Sequence, residues 1–502
     1  MGRRQRSGLE VLAAGLTDAN ERPSHGLLID GAWVPSRDGV VAQASSPSSG
    51  SVIASVAVAA PADVDDAVAA ARRSAPGWAG LGAFGRAAVL RRMADAVVAR
   101  ADELVQALST DQGKPLAEAR DETAELETYL RMAAEDAVRL EGRLPPSVDP
   151  SRRVLLQRLP LGVIGVIVPW NWPYTMAAEL FAPALAAGNT VVWLAAPTTS
   201  ACSASLAAVL SDPEVGLPSG VLGFLNGPGA VAGNALAGHP GVDGVAFIGS
   251  VATGRAVAAR AAGKTQILEL GGNGPLVVLD DADLDAAVTA TLEAAYLCAG
   301  QSCTAGERIL VQRTVRAEYV ERLEAAVRER IRLGDPFDAA TTMGPLNNEG
   351  VAAKTDEHVE EALAGGARVI CGGRRVAGFP TGLFWEATVL DGVRPDMLIA
   401  REETFGPVAP VVEVADDAEA LALTNASPYG LLTAVFTEDL GRGLRFAEAV
   451  RAGWVNINAS TNYWESHLPF GGRAGSLSGR GRVGGASVLE QLTEVKTIVY
   501  PA

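Results

Sequence analysis

Residues 244–254 read GVAFIGSVATG. The apolar run Val245 to Ile248 gives way to Gly249 and Ser250, and a helix-compatible stretch containing Gly254 follows. A strand that ends on glycine and feeds the start of a helix is the unit from which parallel α/β sheets are built. Free N–H groups at that helix start, with the helix dipole behind them, favour an anionic phosphate. Neighbouring segments keep the same rhythm. Val163 to Val168, Thr190 to Leu194, Val221 to Leu225 and Gln266 to Leu270 are apolar runs separated by helix-length stretches, the pattern of strands buried on both faces. A second glycine-rich turn, NGPGAVAG at 226–233, supplies Gly227, Gly229 and Gly233. Neither turn is a strict GxGxxG, and each alone reads as ordinary turn chemistry. Two of them in one sheet point to a dinucleotide site at the strand C-terminal ends.

Toward the N-terminus, LLIDGAWV at 27–34 is a hairpin around Asp30 and Gly31. The first 26 residues read as an extension with a short helix at Leu9 to Leu16. From Pro61 to Gly142 the pattern is helical: a first helix opens with Pro and acidic residues, as helix starts prefer. A second runs from about Arg86 to Ser109 and stops before Gly113-Lys114-Pro115, and a third reaches Gly142. A further α/β unit begins near Gly272, with strands LVVLD, RILVQ, RVICGG, EATVL and VAPVVEV, a helix from Asp283, a long helix from Arg316 to Arg332, and a closing helix and strand ending at Trp454 to Asn458. The tail LTEVKTIVYP is β-branched and reads as a strand that pairs outside its own domain.

With 502 residues, 48% of them hydrophobic, the chain buries large cores and divides into two or three domains. Lys and Arg number 42 against 58 Asp and Glu, a net charge of −16. Nucleic acid is excluded as a partner, because phosphate binding needs a clustered basic surface. Four cysteines make no disulfide framework. No apolar run suits a membrane span or a signal-peptide core. These features give the expectation of a soluble cytoplasmic protein.

Residues 296–306, YLCAGQSCTAG, hold Cys298 and Cys303 with no histidine beside them, so no metal site is expected. Small neighbours let the Cys303 sulfur meet a substrate, yet most free cysteines are buried and inert. This stretch alone does not lift Cys303 above that.

The chain also carries, in order, PWNWPYTM, FAPALAAGNTVV, VAFIGSVATGRAV, LELGGNGPLVVLDDADLD, AGQSCTAGERILV, EETFGPV, GLLTAVFTEDL and PFGG. Together they resemble the aldehyde dehydrogenase superfamily from about Leu27 to the end. The resemblance implies an α/β fold with a Rossmann-type cofactor domain (27–145 and 161–271), an α/β catalytic domain (272–471) and a small β oligomerisation element (146–160 and 486–502), assembled as a homodimer or homotetramer. By the same resemblance Cys303 is the nucleophile, Glu269 the general base and Asn171 an oxyanion donor, while Cys298 stays inert. A thiolate adds to an aldehyde to give a thiohemiacetal able to release hydride, and its oxyanion needs preorganised donors. Glu269 follows a buried apolar run and precedes a glycine pair, so an inward carboxylate with a raised pKa is expected. This base argues for a free acid as product, and the coenzyme-A-acylating branch is set aside. The alternatives are a cofactor-poor esterase or thioesterase-like relative, or a non-catalytic homologue.

For the cofactor, NAD or NADP, the resemblance implies contacts from Val168, Trp170, Gly229, Gly249, Ser250, Leu270, Glu403 and Phe405. The chain departs from the family where a lysine and a glutamate usually meet the adenosine ribose: Leu194 and Pro197 stand there. Pro197 would not repel a 2′-phosphate, but no Arg or Lys lies in that loop, which leans the reading toward NAD. Asn273 replaces a common lysine, and the loop 473–485 is longer than usual. Trp172, Met176, Glu179, Trp464 and Phe470 fall at substrate-funnel positions, with Tyr174 divided between funnel and core. They suggest an apolar, aromatic or amino-aldehyde substrate, since a carboxylate at Glu179 repels an acid semialdehyde.

Overall fold

The computed structural model describes residues 23–502; the helix expected at Leu9 to Leu16 lies outside them. In the first large sheet the parallel strands stand in the order Thr265–Glu269, Gly244–Ile248, Val163–Ile167, Thr190–Ala195, Leu222–Asn226. The chain therefore moves outward in both directions from Val163–Ile167. This makes a topological switch point, where α/β sheets open a crevice at their carboxyl ends. Every residue of Val163–Ile167, Thr190–Ala195, Leu222–Asn226 and Gly244–Ile248 is buried, which is why these runs lack polar alternation.

The hairpin of Leu27–Ile29 and Ala32–Val34 extends this sheet antiparallel beside Leu222–Asn226. Asp30 and Gly31 have φ of 52° and 78°, the left-handed pair that a two-residue type I′ turn demands. At the opposite edge, Gly479–Arg480 pairs antiparallel with Leu268 and Glu269. The long loop 473–485 is thus fastened to the strand that carries Glu269.

The second large sheet runs Arg368–Cys371, Thr388–Asp391, Val408–Val414, Arg308–Gln312, Pro275–Val278, Leu432–Phe436, Trp454–Ile457. It is parallel except at Arg368–Cys371. The tail strand Thr493–Pro501 pairs along its whole length with Arg152–Pro160, antiparallel, as a separate two-stranded ribbon.

Three local features differ from the sequence expectation. Ser24–His25, Val52–Ala57 and Val41–Ser45 form a small sheet, so ordered chain begins before Leu27. Val41–Ser45 is exposed except at Ala44, and its sequence VAQAS carries no large apolar residue beyond Val41 to mark a buried face. The helix expected from Arg86 to Ser109 is two, Gly82–Ala99 and Ala101–Gln112, separated by Arg100 at φ −117°, ψ 18°. The apolar pattern runs unbroken across the bend, because Leu90, Met93 and Val97 and then Leu104, Val105 and Leu108 are all buried. The second piece packs on both Leu116–Ala137 and Ser200–Leu210. Finally, Leu116–Ala137 stops short of Gly142.

Candidate active site

After the helix Leu284–Tyr296 the chain passes through Cys298 and Ala299 at φ 52° and 55°, then Gly300 at φ 73°. Non-glycine residues held there cost about 1–3 kcal/mol each and persist only where the surroundings enforce them. At position 300 a Cβ would lie 2.1 Å from the Gly406 carbonyl oxygen, so only glycine fits. This left-handed run turns the chain and carries Cys303 to the meeting point of two cavities.

One cavity, about 190 Å³, is lined by Trp170, Gly249, Ser250, Leu270, Glu403 and Phe405. The other, about 330 Å³, is lined by Trp172, Met176, Glu179, Trp464 and Phe470. Met176, Ile248, Glu269 and Cys303 border both. Glu269 ends its strand, is 4% exposed and leaves Oε1 without a hydrogen-bond partner. Burial pushes its carboxyl up to about 8, opposed by contact with the Cys303 thiol and reinforced by the charge of Glu403. Burial likewise raises the Cys303 thiol well above its ordinary value, helped by Glu269 and Glu403. Burial thus favours the uncharged form of both thiol and carboxyl.

Asn171 is buried, and its Nδ2 donates to the Gln301 carbonyl at 3.0 Å, which leaves its second amide proton uncommitted. The Cys303 backbone N–H has no partner among the described residues. Asn171 and Cys303 line the smaller cavity together. Cys298 is different. It lies in the core with Gln112 Nε2 at 3.4 Å from its sulfur, and burial pushes its thiol up to about 12.

In the smaller cavity Ser250 caps the helix Val251–Arg260 by accepting from the Thr253 N–H, so the amides of the first turn point outward. Glu403 Oε1 accepts from the Gly272 N–H at 2.8 Å. Phe405 sits edge-on to Trp170 at 5.6 Å with φ 63°. Its loop is fixed by Glu307, which accepts from the N–H groups of Thr404 and Phe405 at 2.6 Å each. Lys354, from the helix Glu349–Ala364, also lines this cavity; neither Glu307 nor Lys354 stood out in the sequence. Val168 is core rather than wall, with its N–H on Leu194 O at 3.3 Å. Gly229 lies on an exposed turn, Gly229–Gly233, with open space where a Cβ would be. Leu194 is buried and Pro197 exposed, and neither side chain offers a polar atom. The first-turn amides suit an anionic group, and the Glu403 carboxylate suits a hydroxyl donor.

All five expected funnel residues line the larger cavity, while Tyr174 is core, its hydroxyl donating to Leu104 O at 3.1 Å. Glu118, Asp121, Glu125 and Glu293 join that wall. None of the four stood out in the sequence; the spacing of Glu118, Asp121 and Glu125 on one helix face was the available signal. Beneath Trp172, Lys114 and Glu122 form a fully buried ion pair at 2.5 Å, and the Lys114 ammonium stands 3.6 Å from the Trp172 ring centre. Glu122 also accepts from the Tyr174 N–H at 2.8 Å, at the start of the helix Thr175–Ala186.

The family model for the aldehyde dehydrogenase family matches residues 33–498. The chain belongs to that family. Its chemistry is the oxidation of an aldehyde to the carboxylic acid with reduction of NAD or NADP, and an esterase-like or non-catalytic alternative is not favoured. This aldehyde dehydrogenase is 37% identical over 470 residues to the glutarate-semialdehyde dehydrogenase of Pseudomonas aeruginosa, covering 93% of this chain and 96% of that one. It is 38% identical over 488 residues to the betaine aldehyde dehydrogenase of Rhizobium leguminosarum, covering 96% and 97%. The crystal structure of an NADP-dependent enzyme from E. coli superposes with a TM-score of 0.92 at 34% identity, covering 97% of this chain and all of that one. Among the described residues no helix is long and apolar enough to cross a membrane, and no cluster of metal-ligating side chains occurs.

Proposed function

We propose that Cys303 attacks the aldehyde carbon, so that a C–S bond forms and the carbonyl oxygen becomes an alkoxide held by the Asn171 amide and the Cys303 N–H. One such donor is worth about 3 kcal/mol in a tetrahedral transition state. The thiol proton goes to solvent, which leaves the Glu269 carboxylate free for the second half of the reaction. A dinucleotide in the smaller cavity supplies the acceptor for the hydride that leaves the same carbon. The acyl group is then a thioester on Cys303. Glu269 removes a proton from water, the hydroxide adds to the acyl carbon, the C–S bond breaks, and acid and thiol are released. The observation that carries this reading is that Cys303 and Glu269 border both cavities.

Gly249 and Ser250 hold the pyrophosphate, and Glu403, Phe405, Trp170 and Leu270 the nicotinamide end. NAD is the preferred cofactor, because neither side chain at Leu194 or Pro197 can neutralise a 2′-phosphate, although the E. coli relative is an NADP-dependent enzyme. The relatives differ in the substrates they are named for, an acid semialdehyde in one and betaine aldehyde in the other. The cofactor domain comprises 27–145 and 161–271, the catalytic domain 272–471, and the ribbon joins copies as a cytoplasmic homodimer or homotetramer.

Cys303→Ala tests the assignment. Aldehyde oxidation and ester hydrolysis both vanish in that variant, because both pass through the same adduct, while Cys298→Ala keeps both. Exchanged phenotypes would place the nucleophile at Cys298.

A further inference from the structure

We propose that the larger cavity selects aldehydes that carry an ammonium group, protonated or quaternary, a few carbons from the carbonyl, and disfavours those ending in a carboxylate. This rests on the reading of Cys303 as nucleophile and names the substrate class of that same site. Six carboxylates line the cavity, those of Glu118, Asp121, Glu125, Glu179, Glu269 and Glu293, and no Lys, Arg or His does. Three helices supply five of them, and Glu269 ends the strand Thr265–Glu269. Glu118, Asp121 and Glu125 share one face of Leu116–Ala137, Glu179 comes from Thr175–Ala186 and Glu293 from Leu284–Tyr296. Asp121 and Glu293 are exposed, Glu125 is half-buried, and Glu118, Glu179 and Glu269 are buried. The acidic wall thus runs from solvent inward to the thiol.

Few groups within the protein pair with these carboxyls. Asp121, Glu125 and Glu293 make no side-chain hydrogen bond or ion pair among the described residues. Glu179, 94% buried, has a single hydrogen bond, from the Tyr129 hydroxyl at 3.4 Å. Glu118 accepts only from the Cys298 N–H at 3.1 Å. The nearest cation, Lys114, lies behind Trp172 and is bonded to Glu122 at 2.5 Å. Burial first, and then the neighbouring carboxylates, pushes Glu118 and Glu125 up to about 7, with the Lys114 charge opposing, and raises Glu179 well above its usual range. A bound cation favours the ionised form of these carboxyls, whereas a bound anion opposes it.

The aromatic part of the wall suits the same ligand. Trp464 stands 5.5 Å from Phe470 and 6.4 Å from Tyr129, ring centre to ring centre. Trp172, which already holds the Lys114 ammonium against its ring, lines the cavity with them. Aromatic faces attract ammonium groups and give a quaternary amine apolar contact as well. Glu269 is reserved for the chemistry. Glu125 and Glu179, next to the aromatic wall and lacking strong partners, are the groups assigned to charge selection.

The test compares kcat/KM for three aldehydes of similar length: a trimethylammonio-butanal, its uncharged carbon isostere, and an oxo-pentanoate. In wild type the cation is expected to exceed the isostere by about tenfold and the carboxylate by about a hundredfold at low salt, with both ratios shrinking as salt rises. In Glu125→Gln and Glu179→Gln the cation-to-isostere ratio falls toward one. Each ratio is taken within one preparation, so partial misfolding of a variant cancels. Equal use of all three aldehydes, or preference for the oxo-pentanoate, overturns the cation assignment and leaves the dehydrogenase reading intact. Failure to oxidise any aldehyde with either cofactor overturns both.

Discussion

Glu269 and Cys303 are neighbours whose protons are both held more tightly than usual, and their separate tasks can be distinguished kinetically. In Glu269→Gln the first hydride transfer still occurs but the thioester persists. Stopped-flow absorbance of the reduced cofactor should show a burst near one equivalent, then a steady rate lower by about 100-fold, the scale of a lost general base. Undiminished turnover would mean that another group activates the water. The wild-type pH profile carries the same signature. The base works only when ionised, and its carboxyl is pushed up to about 8, so the steady rate should climb from pH 6, with its midpoint near 8, and level off about one unit higher. A rate that is flat across this interval would be incompatible with Glu269 as the base. Cys303 became a candidate through the resemblance, since its small neighbours alone did not set it apart from an inert thiol. Glu118, Asp121, Glu125 and Glu293 were not recognised as a wall, because a charged residue on a helix looks alike in sequence whether it faces bulk water or a cavity.

Between elements, the least conventional part of the site is the turn after Thr190–Ala195. Leu194 packs beneath the turn Gly229–Gly233, its Cδ2 lying 3.6 Å from where a Gly233 Cβ would stand, and exposed Pro197 opens the short helical turn Pro197–Thr199. A lysine stem can follow the leucine path and deliver its ammonium to the exposed surface there. Leu194→Lys should therefore tighten dinucleotide binding by about tenfold through a charge-assisted hydrogen bond. Adding Pro197→Glu should favour NAD over NADP, because a carboxylate accepts from a 2′-hydroxyl and repels a 2′-phosphate. Dissociation constants for both cofactors across wild type, singles and double decide the matter; weaker binding with the lysine would mean that the ribose does not lie over this turn. The strands and the Asp30-Gly31 hairpin were readable because their signals are local. The bend at Arg100 was not, because the apolar pattern crosses it unbroken and only packing against Ser200–Leu210 reveals the need for it.

Across the whole molecule, the ribbon of Arg152–Pro160 and Thr493–Pro501 stands apart from both large sheets and exposes Val495, Val499 and Tyr500. Two strands alone are marginal in water, so deletion of 493–502 should lower the assembled mass measured by light scattering; an unchanged mass would remove the ribbon from the oligomer interface. A second global property follows from buried acids. Burial pushes Glu118 and Glu125 up to about 7 and Glu269 up to about 8, and it raises Glu307 as well. The folded state thus holds protons that the unfolded chain has already released, and stability falls as pH rises toward 8. His25 and His358 work in the opposite sense, but only below about 6.5, where the unfolded histidines charge. The thermal midpoint should accordingly drop between pH 6.5 and 8 at constant salt, and a rise would contradict these protonation states. The sequence by itself determined the α/β class, most of the strands of the two large sheets, the glycine turns and the identity of Cys303, Glu269 and Asn171 as candidates, because residue type, local periodicity and motif order carry that information. The tertiary structure alone decided which carboxylates share a cavity, that Val168 and Tyr174 turn into the core, and that loop 473–485 clamps the strand of Glu269. Those relations join residues far apart in the chain, and distance in space leaves no mark on neighbours in sequence.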